Sequence, residues 1–282
     1  MSPTDTQLGV QTLERYGWTV IQAPNANGQT GYVAGTPESR AEDLHWAFGN
    51  PDVDVVLEIR GGFGSAHVIP HLDFELVAAN PKPFVGMSDI TVLHLAIERF
   101  TGLKTFWGPM LVQLGVANEY TRNRFFEAVR GDPIRPIEGG PSDPAPTPIV
   151  GGTAEGLLTG GTVSLLVSSI GTQYEVDPED RLLLLEEVNE NAYEIDRMFT
   201  HLLHAGVLDA ASGFIVCVSE KPRGSEFSGP SVALRHLLAR VFEPLGKPTL
   251  YGLPLGHGNN LATIKLGAAA RLESSDHRLI MI

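Results

Sequence analysis

Cysteine is almost absent: Cys217 is the only one in 282 residues. A single thiol can form no internal disulfide and no cysteine-based zinc site. Its setting, the apolar run Gly213-Phe-Ile-Val-Cys-Val218, reads as a buried strand rather than as the surroundings of a nucleophile. Basic residues are also few, 20 Lys and Arg against 33 Asp and Glu, which leaves a net charge of −13. A surface that acidic repels phosphate backbones, so nucleic acid is not an expected partner. No run approaches the roughly 20 apolar residues of a membrane span. The N-terminus also lacks the basic start and apolar stretch of a secretory leader. A soluble, cytoplasmic protein without a membrane partner is expected. Disorder is excluded, because 43% of residues are hydrophobic and 19% charged, enough to bury a sizeable core.

Glycine and proline are abundant instead, 31 and 20 residues, which points to many tight loops. They concentrate in residues 131–152, GDPIRPIEGGPSDPAPTPIVGG, with six prolines and five glycines. Proline removes donors and fixes φ, so this stretch can be neither a helix nor a central strand. It reads as a linker between an N-terminal domain, residues 1–130, and a C-terminal domain, residues 153–282. In the first, helical patterns (Gln7–Tyr16, Glu38–Phe48, Asp89–Phe100) alternate with strand patterns (Trp18–Ile21, Val53–Ile59, Pro83–Gly86). That alternation predicts an α/β fold, a mostly parallel sheet flanked by helices, with ligands at the carboxyl ends of the strands. The second part predicts a smaller, β-rich α+β domain with an antiparallel or barrel-like sheet. Its strands are Leu182–Leu185, Phe214–Val218, Thr249–Leu253, Ala262–Leu266 and Leu279–Ile282, and its helices Tyr193–His204 and Ser231–Phe242.

Two strand ends of the first part carry unusual turns. Arg60-Gly-Gly-Phe-Gly-Ser65 can aim backbone N–H groups at a ligand or an oxyanion. A dinucleotide G-x-G-x-x-G fails there, because His67 occupies the last position. Val85-Gly-Met-Ser-Asp-Ile-Thr91 passes from strand to helix with a serine at the corner, the geometry of a nucleophile elbow. Ile90 stands where the second glycine of G-x-S-x-G belongs, so Ser88 reads either as a nucleophile or as a helix cap. Among nine histidines, His67 and His71 have helical spacing near Asp73. Val68 replaces the glutamate of H-E-x-x-H, and Pro70 disturbs the helix, so no metal site is expected there. His201 and His204 read as a solvated helix face. His257 lies in a glycine-flanked loop, Leu253-Pro-Leu-Gly-His-Gly-Asn-Asn260, of the kind that carries function. Glu186 and Glu187 end the apolar Leu182–Leu185 strand, and the pleat lets only one of them meet a given imidazole.

The segments RGGFGS, NPKPFVGMSDIT, TFWGPM, GLLTGGTVSLL, LLLLEEVNENAYEIDRM and GLPLGHG occur in the order seen in the LD-carboxypeptidases, which the chain resembles from about Glu38 onward. That family includes the microcin C self-immunity peptidases. The resemblance implies an α/β N-terminal domain, a smaller β-rich C-terminal domain and a site between them. It implies a serine peptidase with a Ser-Glu-His triad matching Ser88, Glu186 (Glu187 the alternative) and His257. The oxyanion would be held by backbone N–H groups of Gly62, with Gly61 the alternative, and of Asp89. No metal or organic cofactor is implied. The implied reaction removes the terminal D-alanine from a murein tetrapeptide through an acyl-enzyme, and homodimers are common in the family. Other amide hydrolysis, of a peptidyl or aminoacyl nucleotide, and non-catalytic binding on the same fold are the alternatives. Family members usually begin with an extra strand, of which Met1-Ser-Pro3 looks like the tail, and its lack would leave a sheet edge open. Thr162 stands where the family's G-G-N has asparagine, and Trp107 replaces a histidine before G-P. Both departures are expected to alter substrate contacts without touching the triad.

Overall fold

The computed structural model describes residues 3–220 and 231–282, so Met1 and Ser2 of the chain start lie outside the described residues. Among the described residues the strands, in chain order, are β1 (Val56–Leu57), β2 (Phe84–Gly86), β3 (Thr105–Trp107), β4 (Thr147–Val150), β5 (Thr153–Thr162), β6 (Leu182–Glu190), β7 (Gly213–Glu220), β8 (Thr249–Tyr251), β9 (Ile264–Leu266), β10 (Ala269–Glu273) and β11 (Arg278–Met281). They form two sheets, ordered β1-β2-β3-β9 and β11-β10-β5-β6-β7-β8-β4. In the first, β1, β2 and β3 run parallel, and β9 closes the sheet antiparallel to β3. The chain therefore returns to the first sheet after the His257 loop, which ties that loop to both halves of the molecule.

The longer helices of the first part are α1 (Pro3–Arg15), α2 (Pro37–Gly49), α3 (Thr91–Thr101) and α4 (Glu119–Arg130). The start of α2 follows from its residues: Pro37 opens the first turn and the Thr36 side chain accepts from the Ser39 amide at 3.2 Å. No strand forms at Trp18–Ile21. Its apolar residues serve packing rather than a ladder, Trp18 lying 5.5 Å from Phe126 and 6.2 Å from Phe125 between ring centres.

The second sheet differs from the antiparallel or barrel-like expectation. Its centre, β5-β6-β7-β8, is parallel, and only the flanks β4, β10 and β11 are antiparallel. The reason is the chain between strands. Helices α5 (Val163–Ser169), α6 (Ala192–His204) and α7 (Val232–Phe242) lie between β5, β6, β7 and β8 in sequence, and a crossover helix returns the chain in the parallel sense. The four-leucine run fits this, since a parallel central strand is covered on both faces. Within residues 131–152, Thr147–Val150 forms an edge strand and Ile137 bridges Leu279.

Alternation along β6 fixes the layers. Leu182 and Leu184 enter a core shared with the first sheet, alongside Phe84, Met87, Ile90 and Trp107. Leu183 and Leu185 point the other way, into a core with Ile195, Phe199 and Phe242 of the helical layer. All four are fully buried, each worth roughly 1.5–3 kcal/mol. The next two residues, Glu186 and Glu187, inherit these opposite directions. No helix among the described residues is long and apolar enough to cross a membrane.

Candidate active site

Ser88 sits at the carboxyl end of β2, between buried Met87 and the first turn of α3. Its φ is 63°, a left-handed conformation that costs a non-glycine residue about 1–3 kcal/mol. Neighbours hold it there: the Thr91 hydroxyl donates to the Ser88 carbonyl at 2.7 Å. Ile90, which interrupts the expected G-x-S-x-G pattern, finds its room at Gly86. A Cβ on Gly86 would come 2.8 Å from the Ile90 side chain, so the glycine needed for close packing lies before the serine instead of after it. The Arg60–Ser65 turn crosses directly over Ser88. A Cβ on Gly61 would lie 2.9 Å from Ser88 Cβ and 3.2 Å from its Oγ, contacts that only glycine permits. The N–H groups of Gly62 and Asp89 find no protein acceptor among the described residues. The Asp89 side chain is buried and accepts from the Ser65 amide at 2.8 Å, pinning the turn to the serine corner.

The two glutamates separate as the pleat of β6 requires. Glu186 faces the first sheet, fully buried, and its Oε1 lies 2.7 Å from His257 Nδ1. Since a carboxylate only accepts, Nδ1 carries a proton, and in the neutral ring Nε2 keeps its lone pair. Burial alone would push the imidazole pKa down. The hydrogen bond and charge of Glu186, with the charge of Glu187 behind it, outweigh burial and leave it above the ordinary 6.5. Glu187 points to the helical layer and accepts from the Ser164 amide at 2.9 Å and the Val188 amide at 3.0 Å. It serves the start of α5, and burial raises its pKa.

Thr162 corrects the expectation that it leaves the candidate triad residues untouched, whereas Trp107 contacts none of them directly. Thr162 is the register partner of Glu186 across β5 and β6, and its hydroxyl donates to Glu186 Oε2 at 2.8 Å. Its amide also donates to the Thr91 hydroxyl at 3.0 Å. Four hydrogen bonds thus run from the Ser88 carbonyl through Thr91, Thr162 and Glu186 to His257. Trp107, fully buried, donates its indole N–H to the Leu255 carbonyl at 2.8 Å, two residues before His257. Sequence spacing could not show either contact, the second joining residues 148 apart. The Ser88 hydroxyl and His257 are not hydrogen-bonded in the structure. Catalytic hydrogen bonds are often long before substrate seats.

The other candidates lie apart. His67 packs edge-on to Phe63 at 5.3 Å, and His71 pairs with Glu38 at 3.6 Å. His201 and His204 fall on α6. Cys217 is the β7 neighbour of Glu186 and donates to the Leu253 carbonyl, and burial raises its thiol pKa. A cavity of about 650 Å³, lined by Arg40, Arg60, Gly61, Gly62 and Asp89 among others, opens beside the glycine turn.

Comparison with known proteins gives a consistent picture. Residues 1–108 match the model of the LD-carboxypeptidase N-terminal domain, and residues 155–272 match that of the LD-carboxypeptidase C-terminal domain. A Bacillus subtilis protein named "Probable murein peptide carboxypeptidase" is 35% identical, over 99% of this chain and 87% of its own. The murein tetrapeptide carboxypeptidase of Pseudomonas aeruginosa is 32% identical over 94% of this chain and 87% of its own. The crystal structure of an MccF-like protein from Bacillus anthracis superposes with a TM-score of 0.88. It is 27% identical, and the match covers 100% of this chain and 92% of that one.

Proposed function

The chain belongs to the LD-carboxypeptidase family of serine-type hydrolases, and from that premise we propose that Ser88, His257 and Glu186 form a catalytic triad releasing the terminal D-alanine of a murein tetrapeptide. The observation that carries the proposal is the buried Glu186 carboxylate bonded at 2.7 Å to His257 Nδ1, in hydrogen-bonded continuity with the Ser88 corner.

In this reading Ser88 Oγ attacks the carbonyl of the L-D peptide bond, and His257 Nε2 takes the hydroxyl proton. Glu186 keeps the imidazole in the right tautomer and stabilises the imidazolium that forms. The carbonyl oxygen becomes an oxyanion held by the N–H groups of Gly62 and Asp89, each worth about 3–4 kcal/mol in hydrolases of this type. Collapse breaks the C–N bond, and the proton on His257 passes to the departing D-alanine amine. Water, deprotonated by the same imidazole, then cleaves the seryl ester and restores Ser88. The positive φ of Ser88 serves this chemistry by presenting the hydroxyl outward at the start of α3.

The test is release of D-alanine from purified murein tetrapeptide. Wild-type protein should release it and Ser88→Ala should not. Undiminished release by Ser88→Ala would overturn the proposal. The likeness to the MccF-like protein supports a second reading, hydrolysis of an aminoacyl or peptidyl nucleotide by the same residues. Such a substrate, assayed beside the tetrapeptide, separates the two.

A further inference from the structure

We infer that Arg60 reads the free carboxylate at the end of the substrate peptide, and so makes the enzyme an exopeptidase. The inference rests on the peptidase reading above and specifies its leaving-group side. It starts from covalent geometry. When a single residue is removed, the terminal carboxylate carbon lies only three bonds from the scissile carbonyl carbon, within about 4 Å. A guanidinium gripping that carboxylate stands about 2.8 Å beyond its oxygens. The cation that selects for a free terminus must therefore sit against the oxyanion-binding turn itself.

The cavity beside that turn supplies one such group. Its volume of about 650 Å³ suits a peptide. In a chain of net charge −13 it presents two arginines, Arg40 and Arg60, and Asp89 is the one acid among its lining residues. Asp89 already accepts from the Ser65 amide. Arg40 is committed to the protein: it donates to the Gly64 carbonyl at 3.0 Å, and its charge acts on Glu58. Arg60 is different. It is exposed, and its Nε donates to the Gly61 carbonyl at 3.1 Å, which folds the side chain back over the turn. Its Nη2 lies 3.7 Å from the point where a Cβ on Gly62 would stand. Neither terminal nitrogen has a protein partner among the described residues. The residue thus offers a planar pair of donors beside Gly62, in the geometry by which a carboxylate accepts two parallel bonds.

The experiment compares two tetrapeptides that differ only in the terminal group, a free carboxylate or a carboxamide, on wild type, Arg60→Ala and Arg60→Lys. The readout is the preference, the ratio of kcat/KM for carboxylate over carboxamide, which cancels any general loss of folded enzyme. Wild type should prefer the carboxylate. Arg60→Ala should cut the preference on the order of 10- to 100-fold, as loss of hydrogen bonds to a charged group does, and Arg60→Lys should recover part of it. A preference unchanged in Arg60→Ala would overturn the inference, and would place Arg60 at the oxyanion or in the turn's structure instead. A wild type that cleaves both peptides equally well overturns it while the peptidase reading stands. A wild type that cleaves neither overturns both.

Discussion

The two halves of the site are held by opposite means. On the first sheet, Ser88 is kept by backbone shape: a positive φ, a glycine turn in contact with its side chain and a threonine on its carbonyl. On the second, Glu186 and His257 are kept by charge: a buried carboxylate with a hydroxyl on one oxygen and an imidazole on the other. The difference teaches where each half is vulnerable. A shaped turn fails when side-chain volume is added. A buried ion fails when a partner is removed, since a buried charge left unpaired costs far more than the pair is worth.

The largest effect that can break this contrast lies in the neighbouring glutamates. Glu186→Gln should lower kcat/KM on the tetrapeptide by about 10²–10⁴, the scale of a triad whose imidazole takes the wrong tautomer. The pH profile adds a sign. His257 must be neutral to act as base, and its raised pKa places the acid limb above the ordinary 6.5. Without the Glu186 charge, burial dominates and that limb should move to lower pH. Stability follows the same linkage. The imidazolium–carboxylate contribution is fully present below pH 6.5 and fades as pH rises through the raised value. Glu187→Gln, by contrast, should cost about 1–2 kcal/mol of stability by weakening the start of α5, and leave kcat/KM within a few-fold. Equal losses at both positions would erase the distinction between them.

A smaller effect sharpens the contrast, because Thr162 belongs to both halves. Thr162→Val removes the donor to Glu186 and keeps the shape of the side chain. We expect kcat/KM to fall about 10-fold, the scale of one hydrogen bond to a charged group, and Thr162→Ser to restore it. A serine variant as impaired as the valine variant would mean that the methyl group, not the hydroxyl, matters here.

What the sequence makes legible depends on range. The α/β class, β2 and most of α3 can be read from local periodicity, and the serine corner from its strand-to-helix motif. The pleat of β6 shows that only one glutamate can reach a given imidazole. Which one it is depends on which face of β6 meets the first sheet, and no local pattern carries that. The parallel sense of β5 to β8, the return of β9 to the first sheet and the unpaired Trp18–Ile21 segment are likewise decided by distant neighbours. Thr162 and Trp107 show the same limit. Each is a departure visible in sequence, but its meaning lies in a contact with Glu186 or Leu255 that only the folded chain makes.

Whether Ser88 is an activated nucleophile driven by His257 decides the peptidase reading. Labelling with a fluorophosphonate, with the adduct located by peptide mapping, asks this most directly. One adduct is expected, on Ser88, lost in Ser88→Ala and strongly slowed in His257→Ala. An adduct on another residue, or labelling of Ser88 at the same rate without the imidazole, would contradict that reading.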